Sequence, residues 1–137
     1  MKETLNNTVG FRVARVANHI NQTINTLLSE YGIAPEQRIL LEILTSCEKV
    51  NQTTLATLLN KSHTTISRTL DSLEKKELIV KKSVEGDKRA NVIAVTPQGQ
   101  ALLERTEACV LAFRNTLAQK LTDEERKMLF TLLDKLS

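Results

Sequence analysis

The chain has 137 residues, enough for one domain with an ordinary core, or for one domain with helical extensions. Nineteen Lys and Arg against sixteen Asp and Glu leave a net charge of +3, a weak signal for a nucleic-acid partner unless the positive charge is gathered on one face. The start M-K-E-T-L-N-N-T has no apolar core behind it and no run approaches the ~20 apolar residues of a bilayer span, so the expectation is a cytoplasmic protein with no membrane partner.

Val9, Val13, Val16, Ile20, Ile24 and Leu27 recur at helical spacing and predict one long amphipathic helix from about Leu5 to Tyr31. Gly32 is suited to a left-handed cap, with Ile33 packing back on the helix end. Pro35 opens a second helix through R-I-L-L-E-I-L to about Cys47. Asn51 can cap a short third helix whose inner face carries Leu55, Leu58 and Leu59. Asn60-Lys61-Ser62 turns the chain, and Ser62 caps a fourth helix by accepting from the backbone N–H of Thr65. Two short helices joined by so tight a turn cross steeply, which is the helix-turn-helix pattern.

From Leu78 the periodicity changes. Leu78-Ile79-Val80 and Asn91-Val92-Ile93-Ala94-Val95 flank the polar tip E-G-D-K-R-A, predicting a β-hairpin directly after the helix pair. Thr96-Pro97 then caps a fifth helix, with Leu103, Val110, Phe113 and Leu117 inside and Ala101 and Cys109 beside them. Thr122-Asp-Glu-Glu125 is a capping box that opens a last helix striped by Met128, Leu129, Leu132, Leu133 and Leu136. The expected fold is therefore mainly α with a small β-hairpin wing, a winged helix-turn-helix. The apolar terminal helices exceed what that module needs, and a two-fold homodimer built on them would bury their stripes.

Surface helices favour Glu, Lys and Gln, but the outer face of S62-H-T-T-I-S-R68 carries short hydroxyls and one arginine. Short side chains let the backbone approach closely and bring no negative charge toward phosphates. Ser62, His63, Thr64, Thr65, Ser67 and Arg68 are thus candidate contacts for a DNA major groove. In the hairpin, Arg89 is a candidate for the minor groove with Asp87 orienting it, while Lys81, Lys82 and Lys88, with Lys75 and Lys76, attract the backbone. Residues 61–89 hold eight Lys or Arg and five Asp or Glu, a net +3 that equals the charge of the whole chain.

Nothing assembles a catalytic or cofactor site: there is no nucleophile elbow, phosphate loop or paired carboxylates, so no enzyme is expected. Cys47 and Cys109 read as reduced, mostly buried thiols, and with His19 and His63 they do not make a metal site. The alternative class is a winged-helix protein–protein adaptor without DNA affinity, whose binding would ignore Arg68, Arg89 and salt.

The block from Asn51 to Gly99 resembles the MarR family of winged-helix transcription regulators. The residues that carry the likeness are L55-A-T-L-L59, S62-H-T-T-I-S-R68, L70-D-S-L-E-K-K76, G86-D-K-R-A90 and V95-T-P-Q-G99, with P35-E-Q-R-I-L-L41 extending it. The resemblance implies one domain over 1–137, with a DNA-binding lobe at about 35–96 and dimerisation arms at about 1–32 and 97–137. It implies a homodimer on the double-stranded DNA of a pseudo-palindromic operator, acting as a repressor of nearby genes. A small apolar or phenolic effector between arms and lobe, against the first, second and fifth helices, would release the DNA. Three departures stand out: Asn60 in the turn and Glu77 before the wing replace glycines, and F11-R-V-A-R-V-A lacks the cysteine of peroxide-sensing relatives. If Glu77 stays left-handed the strain is about 1 kcal/mol; otherwise the helix end is remodelled.

Overall fold

The computed structural model describes residues 3–47, 50–84 and 87–137, with side chains throughout that range except Glu3 and residues 83–91. In chain order come α1 (Glu3–Asn6), α2 (Val9–Ser29), α3 (Pro35–Ser46), α4 (Gln52–Leu59), α5 (His63–Lys75), β1 (Ile79–Val84), β2 (Asp87–Val95), α6 (Pro97–Ala118) and α7 (Asp123–Leu136). The fold is mainly helical, with a two-stranded antiparallel wing. Two compact units divide it, Met1–Thr106 and Glu107–Ser137, and α6 contributes to both.

The single helix expected from Leu5 to Tyr31 is broken at Asn7–Thr8, where Thr8 is extended at φ −89°, ψ 142°. Side chains satisfy the carbonyls that the break uncovers. The Thr8 hydroxyl donates to Leu5 O at 2.8 Å and Arg12 Nε donates to Asn6 O at 2.6 Å. Asn and Thr are the residue types whose side chains compete with the helical ladder in this way.

The other helix ends follow the expected capping chemistry. Gly32 is left-handed at φ +70° and Ile33 behind it is buried. Asn51 Oδ1 accepts from Thr54 N at 2.8 Å, Ser62 Oγ from Thr65 N at 3.1 Å, and Thr96 Oγ1 from Gly99 N at 3.1 Å. Thr122 and Glu125 form the reciprocal capping box of α7. Gly99 has a further reason to be glycine: a Cβ there would stand 2.3 Å from Leu78 O and 2.7 Å from Val95 Cγ1. The V95-T-P-Q-G99 run therefore lets α6 start against the root of the wing.

Asn60 and Glu77 both take up the left-handed conformation, at φ 51° and φ 61°. Each ends its helix with the paired bonds of a Schellman motif. Lys61 N donates to Ala56 O and Asn60 N to Thr57 O; Leu78 N donates to Leu73 O and Glu77 N to Glu74 O. Thr96 then locks the second bend, its hydroxyl donating to Glu77 O at 2.6 Å. The wing root is thus held in place at the expense of strain at Glu77.

The core of the first unit gathers Leu28 and Ile33, Leu40, Leu41 and Leu44 of α3, Leu55 and Ala56 of α4, and Ile66, Leu70 and Leu73 of α5. Leu78, Ile79 and Ile93 of the wing and Leu102 and Leu103 of α6 complete it. Three expectations are corrected here. Leu58 is exposed and Ala56 is buried instead, because a helix of two turns buries only the strip beside Leu55. On α6 Ala101 is exposed while Leu102 and Thr106 are buried, a shift of the inner face by one residue. Cys47, which caps α3, is exposed and Cys109 half-buried.

Arg38 is buried at 2% exposure. Its guanidinium pairs with Glu42 one turn on, donates from Nε to Thr106 Oγ1 at 2.7 Å and reaches Leu103 O at 3.3 Å. Such a charge is tolerated in a core only when its donors are met, and this one stitches α3 to α6.

Two predictions follow from these geometries, both read as urea-unfolding free energies. Glu77→Gly should stabilise the protein by about 1 kcal/mol by relieving the left-handed strain, whereas Asn60→Ala should cost about 1 kcal/mol. Arg38→Ala should cost about 3 kcal/mol, because it takes the cation from Glu42 and vacates volume, while the paired Arg38→Met, Glu42→Gln variant should stay within about 1 kcal/mol of the unaltered protein.

Candidate nucleic-acid interface

Helix α5 divides its surface three ways. Ile66, Leu70 and Leu73 are at most 2% exposed and anchor it in the core. Thr65 and Thr69 turn to one flank. The outward side carries Thr64, Arg68 and Asp71, all exposed, with Ser67 half-buried at its margin. The first turn contains no acidic residue, so its backbone N–H groups and short side chains offer only donors and small acceptors to an approaching anion.

Among the six candidate residues of this helix, Ser62, His63, Thr64, Thr65 and Arg68 are exposed. The Ser62 hydroxyl serves the cap: it accepts from Thr65 N and donates to Thr65 Oγ1 at 2.9 Å. His63, at the first helical position, offers its ring to solvent, while its carbonyl accepts from Gln52 Nε2 at 3.0 Å. Composition alone gave no reason to single out Gln52, since its partner is a main-chain atom eleven residues away.

In the wing, Ile79 pairs with Val95, Lys81 with Ile93 and Ser83 with Asn91. Val84 pairs with Asp87, so Lys88, Arg89 and Ala90 stand outside that register as a bulge in β2. Their main chain is strand rather than the loop expected from E-G-D-K-R-A, though the side chains of Asp87, Lys88 and Arg89 lie outside the described residues. Lys82 is exposed.

Two of the lysines expected to attract a phosphate backbone are engaged within the fold. Lys81 Nζ lies 2.8 Å from Asp71 Oδ1 and 3.9 Å from Glu74 Oε1, tying the wing to α5. The Lys81 hydrogen bond and charge lower the Asp71 carboxyl from its ordinary value, with desolvation opposing and Lys75 reinforcing. The tie therefore persists through neutral pH and is lost only as pH falls through that lowered value. Lys76 Nζ donates to Gly32 O at 2.8 Å and to Gln37 Oε1 at 2.9 Å. Gln37 also accepts from Ala34 N and donates to Ser72 Oγ at 2.9 Å, so one amide joins the start of α3 to the end of α5.

Beside α5 lies a cavity of about 480 Å³, walled by Asn21 of α2, residues 34–37, Ile39 and Leu40 at the start of α3, Leu59 and Lys61 at the turn, and Thr65, Ile66 and Thr69 of α5. Its volume and mostly apolar wall suit a small organic molecule. Among the described residues there is no group of His, Cys, Asp and Glu able to hold a metal ion, and no helix is long and apolar enough to cross a membrane.

Comparison with known proteins gives consistent relatives. Residues 31–90 match the MarR family. An uncharacterised HTH-type transcriptional regulator of Bacillus cereus is 32% identical over 133 residues, covering 96% of this chain and 88% of that protein. The S. aureus MepR–DNA complex superposes with a TM-score of 0.87 at 25% identity, over 94% of this chain and 96% of MepR. CouR from Rhodococcus jostii RHA1, solved with p-coumaroyl-CoA, shares the fold with a TM-score of 0.83 at 24% identity, over 98% and 95% of the two chains. With the family's motifs on the helix-turn-helix and wing just described, the chain belongs to the MarR family of winged helix-turn-helix, DNA-binding transcription regulators.

Proposed function

We propose that the chain acts as a homodimer on a pseudo-palindromic operator, repressing nearby genes until a small effector binds. The family is one of regulators, not of enzymes. The observation that carries this reading is the two-sidedness of α5: an apolar face sealed in the core, and an acid-free, exposed first turn opposite it. In this reading Ser62, His63, Thr64, Thr65, Ser67 and Arg68 meet the major groove, with Arg68 the strongest base or phosphate contact. The wing lays Arg89 in the adjoining minor groove, Asp87 orients it, and Lys82 and Lys88 attract the backbone. Lys81, already paired with Asp71, sets the angle of the wing.

The lobe would be residues 35–96 and the dimerisation arms residues 1–32 and 97–137. Apolar side chains without cover support the arms. Met128, Leu129, Phe130, Leu132, Leu133 and Leu136 of α7 are all 39–59% exposed, as are Val9, Val13 and Val16 of α2 at 43–60%. α7 buries none of its residues within the chain. A second copy related by a two-fold axis would cover such surfaces on both partners at once, and would space two α5 helices about one DNA turn, ~34 Å, apart.

The proposed effector is a small apolar or phenolic molecule in the cavity beside Thr65 and Thr69. Helix α6, which starts at Pro97 and was expected to border such a site, contributes none of the residues lining this cavity. A ligand there would press on α5 itself as well as on the α2–α3 junction, and so would bias the recognition helix directly.

Two experiments test the reading. Selection of bound fragments from sheared genomic DNA should recover an inverted repeat; Arg68→Ala should weaken binding to it by ten- to a hundredfold, about 1–3 kcal/mol, and the affinity should fall steeply with salt. Recovery of no repeat, or binding indifferent to Arg68 and salt, would favour the protein–protein adaptor. Sedimentation should give a dimer whose unfolding midpoint rises with concentration, and Leu133→Glu should yield a folded monomer that has lost operator binding.

A further inference from the structure

Helices α4 and α5 are in contact, and the residues they bury near each other are apolar: Leu55 and Ala56 on α4, Ile66 and Leu70 on α5. Hydrophobic burial is not directional. Such a seam fixes which side of α5 is buried but leaves small rotations about its axis to be set by directional bonds. Even a small rotation shifts the hydrogen-bonding atoms of His63, Thr64 and Arg68 relative to the base edges that they would meet. A directional bond at this junction runs from Gln52 Nε2 to His63 O, at 3.0 Å. It grips the first residue of α5, at the end from which the outward face begins.

We infer that Gln52 is a positioning residue for sequence readout, setting the rotational phase of α5 and with it the aim of the side chains at 63, 64 and 68. The inference rests on α5 being the recognition helix. Several features favour this role over a purely structural one. Gln52 is only half-buried, so water competes for the same bond and its loss changes stability little. Its neighbour Asn51 already caps α4, so the helix start does not depend on Gln52. Phosphate contacts tolerate small rotations because the charge is diffuse, whereas hydrogen bonds to base edges do not.

The test compares the unaltered protein with Gln52→Met, which keeps the length of the side chain and removes the donor, and with Gln52→Asn, which keeps the amide and shortens its reach. Each is titrated against the duplex recovered by selection and against a scrambled duplex of the same composition, and its urea-unfolding midpoint is measured. We expect both variants to lose about tenfold in affinity for the selected duplex and less than twofold for the scrambled one, with the midpoint nearly unchanged. Amide NMR shifts between unaltered and variant protein should concentrate in residues 62–68. An unchanged affinity ratio in a protein that otherwise discriminates would overturn the role of Gln52 alone, as would equal losses on both duplexes. Absence of discrimination by the unaltered protein would overturn the DNA-binding reading and this inference with it.

Discussion

The burial of Ile66, Leu70 and Leu73 is the constraint on which the rest of the structure turns. These three side chains press α5 into a core supplied by α3, α4, the wing and α6, and they fix which side of the helix meets solvent. Their replacement by smaller residues would open cavities in a close-packed interior, so little freedom exists for α5 to settle otherwise. Thr64, Arg68 and Asp71 look outward because the opposite positions are taken. The flank with Thr65 and Thr69 faces a cavity because α3 begins at Pro35 and leaves that space beside α2.

Around this anchored helix, the directional contacts sit at the ends of elements. Gln52 holds the start of α5 to α4, and Gln37 with Lys76 holds its end to α3. Thr96 fixes the carbonyl of Glu77, and Lys81 ties β1 to Asp71. Apolar burial thus determines that the elements pack, and polar bonds at their termini determine at what angle. Reading DNA makes the second requirement stricter than stability does, since the free energy of a fold is forgiving of small rotations and a base-edge hydrogen bond is not. This division explains why several charged residues near the basic segment are bound within the fold and do not project from it.

The apolar surplus lies elsewhere. Six large side chains on α7 and four on α2 remain open to solvent, a burden that an isolated chain of this size does not ordinarily carry. Arg38 shows the reverse economy, a cation taken fully into the core and matched there by Glu42, Thr106 and the Leu103 carbonyl.

The sequence by itself determined the elements and their order. Helical spacing of Ile66, Leu70 and Leu73, the capping residues Asn51, Ser62, Thr96 and Thr122, and the change of period at Leu78 are local signals, and local hydrogen bonding realises them directly. The likeness of S62-H-T-T-I-S-R68 and V95-T-P-Q-G99 to a family of regulators was equally legible. Tertiary structure alone decided the rest. The exposure of Leu58 and Ala101 depended on which strip of each helix its neighbours could reach. The burial of Arg38, the pairing of Lys81, the bond from Gln52 to His63 and the cavity beside Thr69 each join residues ten or more positions apart. Periodicity reports which face of a helix is apolar, but not what that face meets, because the partner is chosen by packing across the chain.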